Sequence, residues 1–293
     1  MKERRKRNMS RTGLLFMFCL LMLCGCAQIT GFMENTEVSG REVESLAAEK
    51  EDDTVLLGGM PVGIYMETDG VLVLDTEKMT GMDGKEYTPA QGVVSSGDYI
   101  MEVNHQKIEG KKQLMDLVEH LDGEKVLLTV RRENTILEKK LTPVQISKGN
   151  YRLGIWVRDN VQGLGTITFL TKNNRFAALG HGIHDIDTST LLTIKRGTLY
   201  RTSIQKVQKG SKGNPGTMEG IIVYNRFHRL GVIEKNTDSG IYGELNSDRS
   251  WIGEEVPIQV AKKEEIKTGE ARIRCYIDGE VKEYTICITQ IDK

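Results

Sequence analysis

From residue 149 onward the chain never sustains an apolar helical face for three turns. Short apolar runs instead alternate with Gly, Asn and Asp, at 151–158, 163–170, 175–180, 190–194, 198–208, 217–224, 228–233, 256–260, 271–277 and 280–289. Short strands with turn signals at close spacing pack as a sandwich or a barrel. The 31 glycines and 6% aromatics favour turns and short strands over long helices. A length of 293 residues gives room for about two domains. A net charge of −1 supplies no electrostatic footprint for nucleic acid.

The near-neutral charge conceals an asymmetry. Lys2, Arg4, Arg5, Lys6, Arg7 and Arg11 oppose only Glu3 in the first 25 residues, which leaves the remainder at −6. The basic cluster precedes an eleven-residue apolar run, 14–24, too short for a spanning helix of about 20 residues. A basic stretch, a short apolar stretch and then small residues is the order of an export signal. Leu23-Cys24-Gly25-Cys26 also resembles a bacterial lipoprotein box, with Cys26 as the lipidation candidate. Cleavage, lipidation and retention as an anchor all remain open. Residues 1–26 are thus read as an export or lipoprotein-type leader, and the acidic, aperiodic stretch 27–53 as a linker.

Three of the five cysteines lie in the leader, leaving Cys275 and Cys287. These fall on two strands joined by Asp278-Gly279, a tight-hairpin signal. A two-residue loop sets Ile277 opposite Glu280 and Cys275 opposite Lys282. Cys287 then lies five residues further on, about 17 Å away and on the other face, beyond disulfide reach.

In the first half, 62–65 and 70–74 read as strands, and Gly97-Asp98 leads into another that ends at a turn beginning with Asn104 and His105. Residues 111–121 place apolar side chains at 114, 117, 118 and 121, one helical face, closed by Asp122-Gly123. Strands at 125–131 and 136–141 follow. Gly97-Asp98, Ile100, Val103-Asn104, Ile108 and Val130 with Arg131 or Arg132 carry a GD-x-I-x-x-V-N-x-x-x-I pattern and a V-x-R strand end. Over residues 54–142 this succession resembles a PDZ domain. The resemblance implies a loop of x-apolar-Gly-apolar form that takes a C-terminal carboxylate on backbone N–H groups. Pro61-Val62-Gly63-Ile64 has that form, so Val62, Gly63, Ile64 and Lys111 are the expected peptide-binding residues, with peptide or protein C termini as partners.

Within the second half, His181 stands between Gly180 and Gly182 at a strand end, where an exposed imidazole suits a general base. Taken alone, such a histidine is more often structural. The stretches YRLGIWVRD, GLGTITF and FAALGHGIHDIDT, with residues 209–216 and 231–243, resemble the peptidase domain of the stage IV sporulation protein B family. The resemblance implies a mainly β chain in which a PDZ domain precedes an incomplete chymotrypsin-like β-barrel peptidase domain at 149–293. It further implies His181 as catalytic base, a membrane-bound regulatory protein as substrate, and an extracytoplasmic location between the membranes of a developing endospore. Cleavage there releases intramembrane processing of a sigma factor.

One element of the family pattern is missing. Its serine nucleophile sits in a G-x-S-G-S-P segment with the supporting Asp shortly before, and residues 1–293 hold no such segment. Activation of a serine requires base and orienting acid in hydrogen-bond reach, so the chain as written is expected not to hydrolyse peptides. The alternative is a PDZ-containing peptide-binding pseudopeptidase or scaffold. With about 144 residues after Gly149, the second domain is expected to stop short, leaving the tail after about 255 as an exposed edge. No metal or cofactor is expected. His181, His184, Asp185 and Asp187 suggest a metal cluster, yet the flanking glycines argue against the helix that their spacing suits, and residues 185–188 read better as a turn. The glycines at 163–165 and 209–216 lead into no helix, which removes a phosphate-loop reading.

Overall fold

The computed structural model describes residues 54–253, 255–277 and 279–291, and all of them fall in one compact unit. The leader, Cys26 and the linker 27–53 lie outside the described residues. No helix among those described is long and apolar enough to cross a membrane.

The strands run in the order β1 (Thr54–Leu57), β2 (Pro61–Thr76), β3 (Met79–Thr80), β4 (Glu86–Tyr87), β5 (Tyr99–Val103) and β6 (Gln106–Lys107). Helix α1 (Lys111–Glu119) is followed by β7 (Val126–Arg132), β8 (Thr135–Leu141), β9 (Val144–Ser147), β10 (Asn150–Arg152) and β11 (Ile155–Leu170). Then come β12 (Arg175–Ala178), β13 (Ile194–Tyr200), β14 (Thr202–Gln208), β15 (Thr217–Ile222), β16 (Arg229–Thr237) and β17 (Gly240–Leu245). The chain closes with β18 (Pro257–Gln259), β19 (Gly269–Ile277) and β20 (Glu280–Ile288).

Two strands of 16 residues, β2 and β11, organise everything else. They pair antiparallel from Ile155 opposite Thr76 to Thr166 opposite Pro61, with bulges beside Trp156 and Arg158. Each begins in one hydrophobic core and ends in another. Val62, Ile64 and Met66 alternate inward on the first half of β2 and join the barrel core with Leu56, Ile167, Phe176, Leu199, Ile233 and Ile241. Val71 and Val73 on its second half enter a separate core with Ile100, Leu114, Leu128 and Val130. The change of face happens at Asp69-Gly70. Gly70 has φ +90°, and a Cβ there would approach Met101 Sδ to 2.6 Å, so glycine alone fits the kink.

The barrel is closed. Its strands pair in the cycle β2–β11–β12–β17–β16–β13 and back to β2, every neighbour antiparallel. Closure satisfies the backbone groups that an open sheet leaves at its two edges. The expected boundary between residues 142 and 149 is therefore not where packing changes. The first half of β2 is a barrel strand, and the PDZ-like unit is an excursion between that strand and β11. The unit consists of the second half of β2 with β5, β7 and β8, covered by α1.

The signature residues of this unit meet in space. Asp98, 1% exposed, takes a bidentate pair from Arg132 at 2.7 and 2.8 Å, and the carboxylate raises the guanidinium further above its ordinary pKa. Of the two arginines offered by the sequence, Arg132 completes the pattern. Asn104 and His105 make the expected turn at positive φ, and Asn104 Oδ1 accepts from the Leu127 backbone N–H at 2.9 Å. The helix ends two residues earlier than its apolar spacing suggests, because His120 and Leu121 already turn toward Asp122-Gly123, where φ is +93°.

The tail after residue 255 is an exposed edge only in part, because β18 pairs with β1 in the main sheet. β19 and β20 pair only with each other, with Cys275 opposite Lys282, Ile277 opposite Glu280 and Cys287 opposite Glu270. Val281 leans on the barrel core, while Ile273 and Ile286 stay exposed and both outer edges lack a strand partner among the described residues.

Candidate active site and peptide groove

His181 follows β12 after two left-handed residues, Leu179 at φ +75° and Gly180 at φ +78°. This turn lifts the imidazole clear of the barrel end, where it is exposed. His181 Nδ1 lies 3.0 Å from the Gly182 carbonyl. A carbonyl only accepts, so Nδ1 carries the proton in the neutral ring and Nε2 keeps its lone pair. The loop beyond is held from two sides. Asn236, at the end of β16, accepts from the Ile183 N–H at 2.9 Å and donates to the Ile183 and Leu192 carbonyls at 2.8 and 2.9 Å. On the other side Arg158 pairs with Asp185, whose side chain is fully buried, and with Asp187 at 2.8 Å.

Asp185 also accepts the N–H groups of Asp187 and Thr188 at 3.0 and 2.9 Å, which is the turn anticipated for residues 185–188. Its oxygens are committed to Arg158 and to backbone donors. His184 faces Asp238 at 4.0 Å instead. Among the described residues no group of His, Cys, Asp and Glu is arranged to hold a metal ion.

The expected carboxylate loop is not one. Val62 and Ile64 are buried mid-strand, and Val62, Gly63 and Ile64 are paired on one side with Gly165, Leu164 and Gly163 of β11. On the other side Gly63 and Ile64 pair with Tyr200 and Leu199 of β13. Strands on both sides occupy the backbone that an anion nest needs. Lys111 is also elsewhere than expected: its exposed side chain lies off the cleft described next, and its backbone N–H is bonded to Asp159.

The x-apolar-Gly-apolar form occurs a second time, at Arg152-Leu153-Gly154-Ile155, and here the geometry fits. Gly154 has φ +68° and turns the chain into β11. Ile155, Trp156 and Val157 pair with Thr76, Asp75 and Val73 on one side only. The opposite edge faces α1 across a cleft of ≈ 110 Å³ lined by Leu114, Met115 and Val118 of the helix and by Leu153, Ile155 and Val157. An extended peptide can add there as a strand, with its side chains against the helix. Asp159 anchors the helix: its Oδ2 accepts from the Lys111 N–H at 2.7 Å and caps a helix whose own N-cap, Gly110, has no side chain. Consecutive residues of β11 thus grip both sites, Arg158 the loop after His181 and Asp159 the helix beside the cleft.

Residues 149–293 match the family model described as SpoIVB peptidase S55. That half of the chain is an S55 peptidase domain. A Helicobacter pylori (strain J99) protein named "Putative zinc metalloprotease" is 28% identical, over 54% of this chain and 50% of its own length. The chain therefore spans about half the length of that curated relative. A crystal structure of the PDZ domain of an SdrC-like protein from Listeria monocytogenes is 21% identical, covering 30% of this chain and 87% of that one at a TM-score of 0.26.

The S55 match begins just before Arg152, yet the barrel to which those residues contribute is closed by residues 61–68, far upstream. Arg158 and Asn236, which fix the loop after His181, were not singled out by sequence reasoning. Arg158-Asp159 did carry a signal, a charged pair directly after the apolar run Ile155-Trp156-Val157. Asn236 carried none, because its role depends on β16 ending beside that loop.

Proposed function

We propose that the chain is a serine endopeptidase of the sporulation signalling type, with His181 as general base and the cleft between α1 and β11 as the seat of a peptide or protein C terminus. The observation that supports this most is the accessible His181 imidazole, with Nδ1 on a carbonyl and Nε2 free, in the half of the chain that matches the S55 model. An imidazole with an open lone pair is what acyl transfer asks of its histidine. On this reading the substrate is a membrane-bound regulatory protein at the extracytoplasmic face, cleaved on the way to sigma-factor activation, and the leader or a lipid on Cys26 keeps the chain at the membrane.

No serine hydroxyl hydrogen-bonds His181 among the described residues. Residues 1–293 alone are therefore expected to give no His181-dependent turnover of a fluorogenic peptide. Reading the gene past codon 293 tests the assignment. An in-frame continuation that encodes G-x-S-G-S-P supports the peptidase, and a clean stop before an unrelated gene counts against it.

The cleft favours a second reading, a PDZ-containing peptide-binding pseudopeptidase or scaffold. Val118→Asp sets an unpaired charge against Ile155 and Val157, where desolvation disfavours it. It is expected to weaken capture of apolar C-terminal hexapeptides by about tenfold or more, read by fluorescence polarisation. Unchanged binding by this variant would place peptides elsewhere.

A further inference from the structure

The barrel end that carries His181 also holds a cavity of ≈ 460 Å³, lined by Leu164, Gly165, Thr166, Leu179, His181 and Met218. Its walls come from three separate elements: β11, the turn after β12, and β15. Apart from the imidazole, no titratable side chain lines it.

Two features fix the apolar walls in place. Leu179 holds a left-handed backbone, which a branched side chain rarely adopts, and such outliers persist only where the surroundings impose them. The turn directs its side chain over Gly165, where a Cβ would come within 2.8 Å of Leu179 Cδ2. Independently, the β14–β15 hairpin leans across β2 and β11. Ile222 Cγ2 would lie 2.6 Å from a Cβ on Gly63, and Leu164 Cδ1 would lie 3.2 Å from a Cβ on Gly220. Strand alternation puts Met218, Gly220 and Ile222 on one face, so Met218 hangs over the cavity beside His181.

We propose that this cavity is a side-chain subsite, which takes an uncharged, apolar residue of the peptide next to the bond presented to His181. The proposal rests on the reading of His181 as the base. The volume suits one or two side chains. A lysine or aspartate placed there would find no counter-charge, whereas leucine or phenylalanine would meet Leu164, Leu179 and Met218.

The imidazole itself provides the readout, without any need for hydrolysis. In the full chain, with thiols blocked, His181 is alkylated with tosyl-phenylalanine chloromethyl ketone or tosyl-lysine chloromethyl ketone. Nε2 forms a bond to the methylene carbon, chloride leaves with the bonding pair, and the Nδ1 proton passes to solvent. Mass mapping follows His181 against the other four histidines, and iodoacetamide normalises intrinsic reactivity. The phenylalanine reagent is expected to modify His181 about tenfold faster or more than the lysine reagent. Met218→Glu and Leu164→Asp, both on partly exposed positions, each supply the missing counter-charge and should each bring the ratio close to one. Equal rates in the unmodified chain, or a ratio that both variants leave unchanged, overturn the subsite while leaving the base. A His181 that resists even iodoacetamide overturns the base and the subsite together.

Discussion

A fragment that begins at Gly149 is expected to remain unfolded, whereas one that begins at Thr54 unfolds in a single cooperative transition. The S55 match covers only the shorter fragment, but the shorter fragment lacks a wall of its barrel. Without the first half of β2, β11 and β13 both lose their partner and the cycle opens. Leu56, Met60, Val62, Ile64 and Met66 leave the core as well. At about 2 kcal/mol for each buried side chain the loss is on the order of 10 kcal/mol, comparable with the whole stability of a typical domain, about 5–15 kcal/mol. Circular dichroism melts of the two fragments decide the matter. A cooperative melt from the shorter one would mean that the barrel closes without β2.

Arg158→Gln is expected to cost about 3 kcal/mol, because it strands the fully buried Asp185 carboxylate without its cation. The two backbone N–H groups that Asp185 accepts cannot replace a guanidinium, and the turn they define carries the loop after His181. Amide exchange should therefore rise at residues 182–190 more than in the barrel strands. Adding Asp185→Asn should recover part of the loss, since the amide oxygen still accepts from Thr188 while the uncompensated charge is gone. Urea unfolding of the single and double variants reads the coupling. A single-variant cost below about 0.5 kcal/mol would mean that solvent already screens the pair.

The parts that were legible in the sequence are those set by local geometry. Asp278-Gly279 fixed a two-residue loop, and with it the register that places Cys275 opposite Lys282. The spacing from Gly97-Asp98 to the V-x-R strand end announced the PDZ-like unit, and the glycines around His181 announced an exposed imidazole. Strand β17 escaped, because Gly240 and Gly243 interrupt its apolar pattern. Those glycines reflect packing: a Cβ on Gly243 would overlap the Val232 carbonyl and meet Phe176 Cε1 at 2.9 Å.

By itself, then, the sequence determined a mainly β chain with one short helix, a PDZ-like pattern, a histidine poised at a strand end and a self-paired terminal hairpin. Only the tertiary structure decided which of two x-apolar-Gly-apolar stretches borders a groove and which closes a barrel. The two are alike as strings, because a tetrapeptide fixes its own dihedral preferences but not its neighbours. Pro61-Val62-Gly63-Ile64 acquires strands on both sides and is buried. Arg152-Leu153-Gly154-Ile155 acquires a strand on one side and a helix on the other, and its edge stays open. Pairing between residues about 100 apart makes that distinction, and so the boundary that the sequence suggested between two domains became two long strands shared by both.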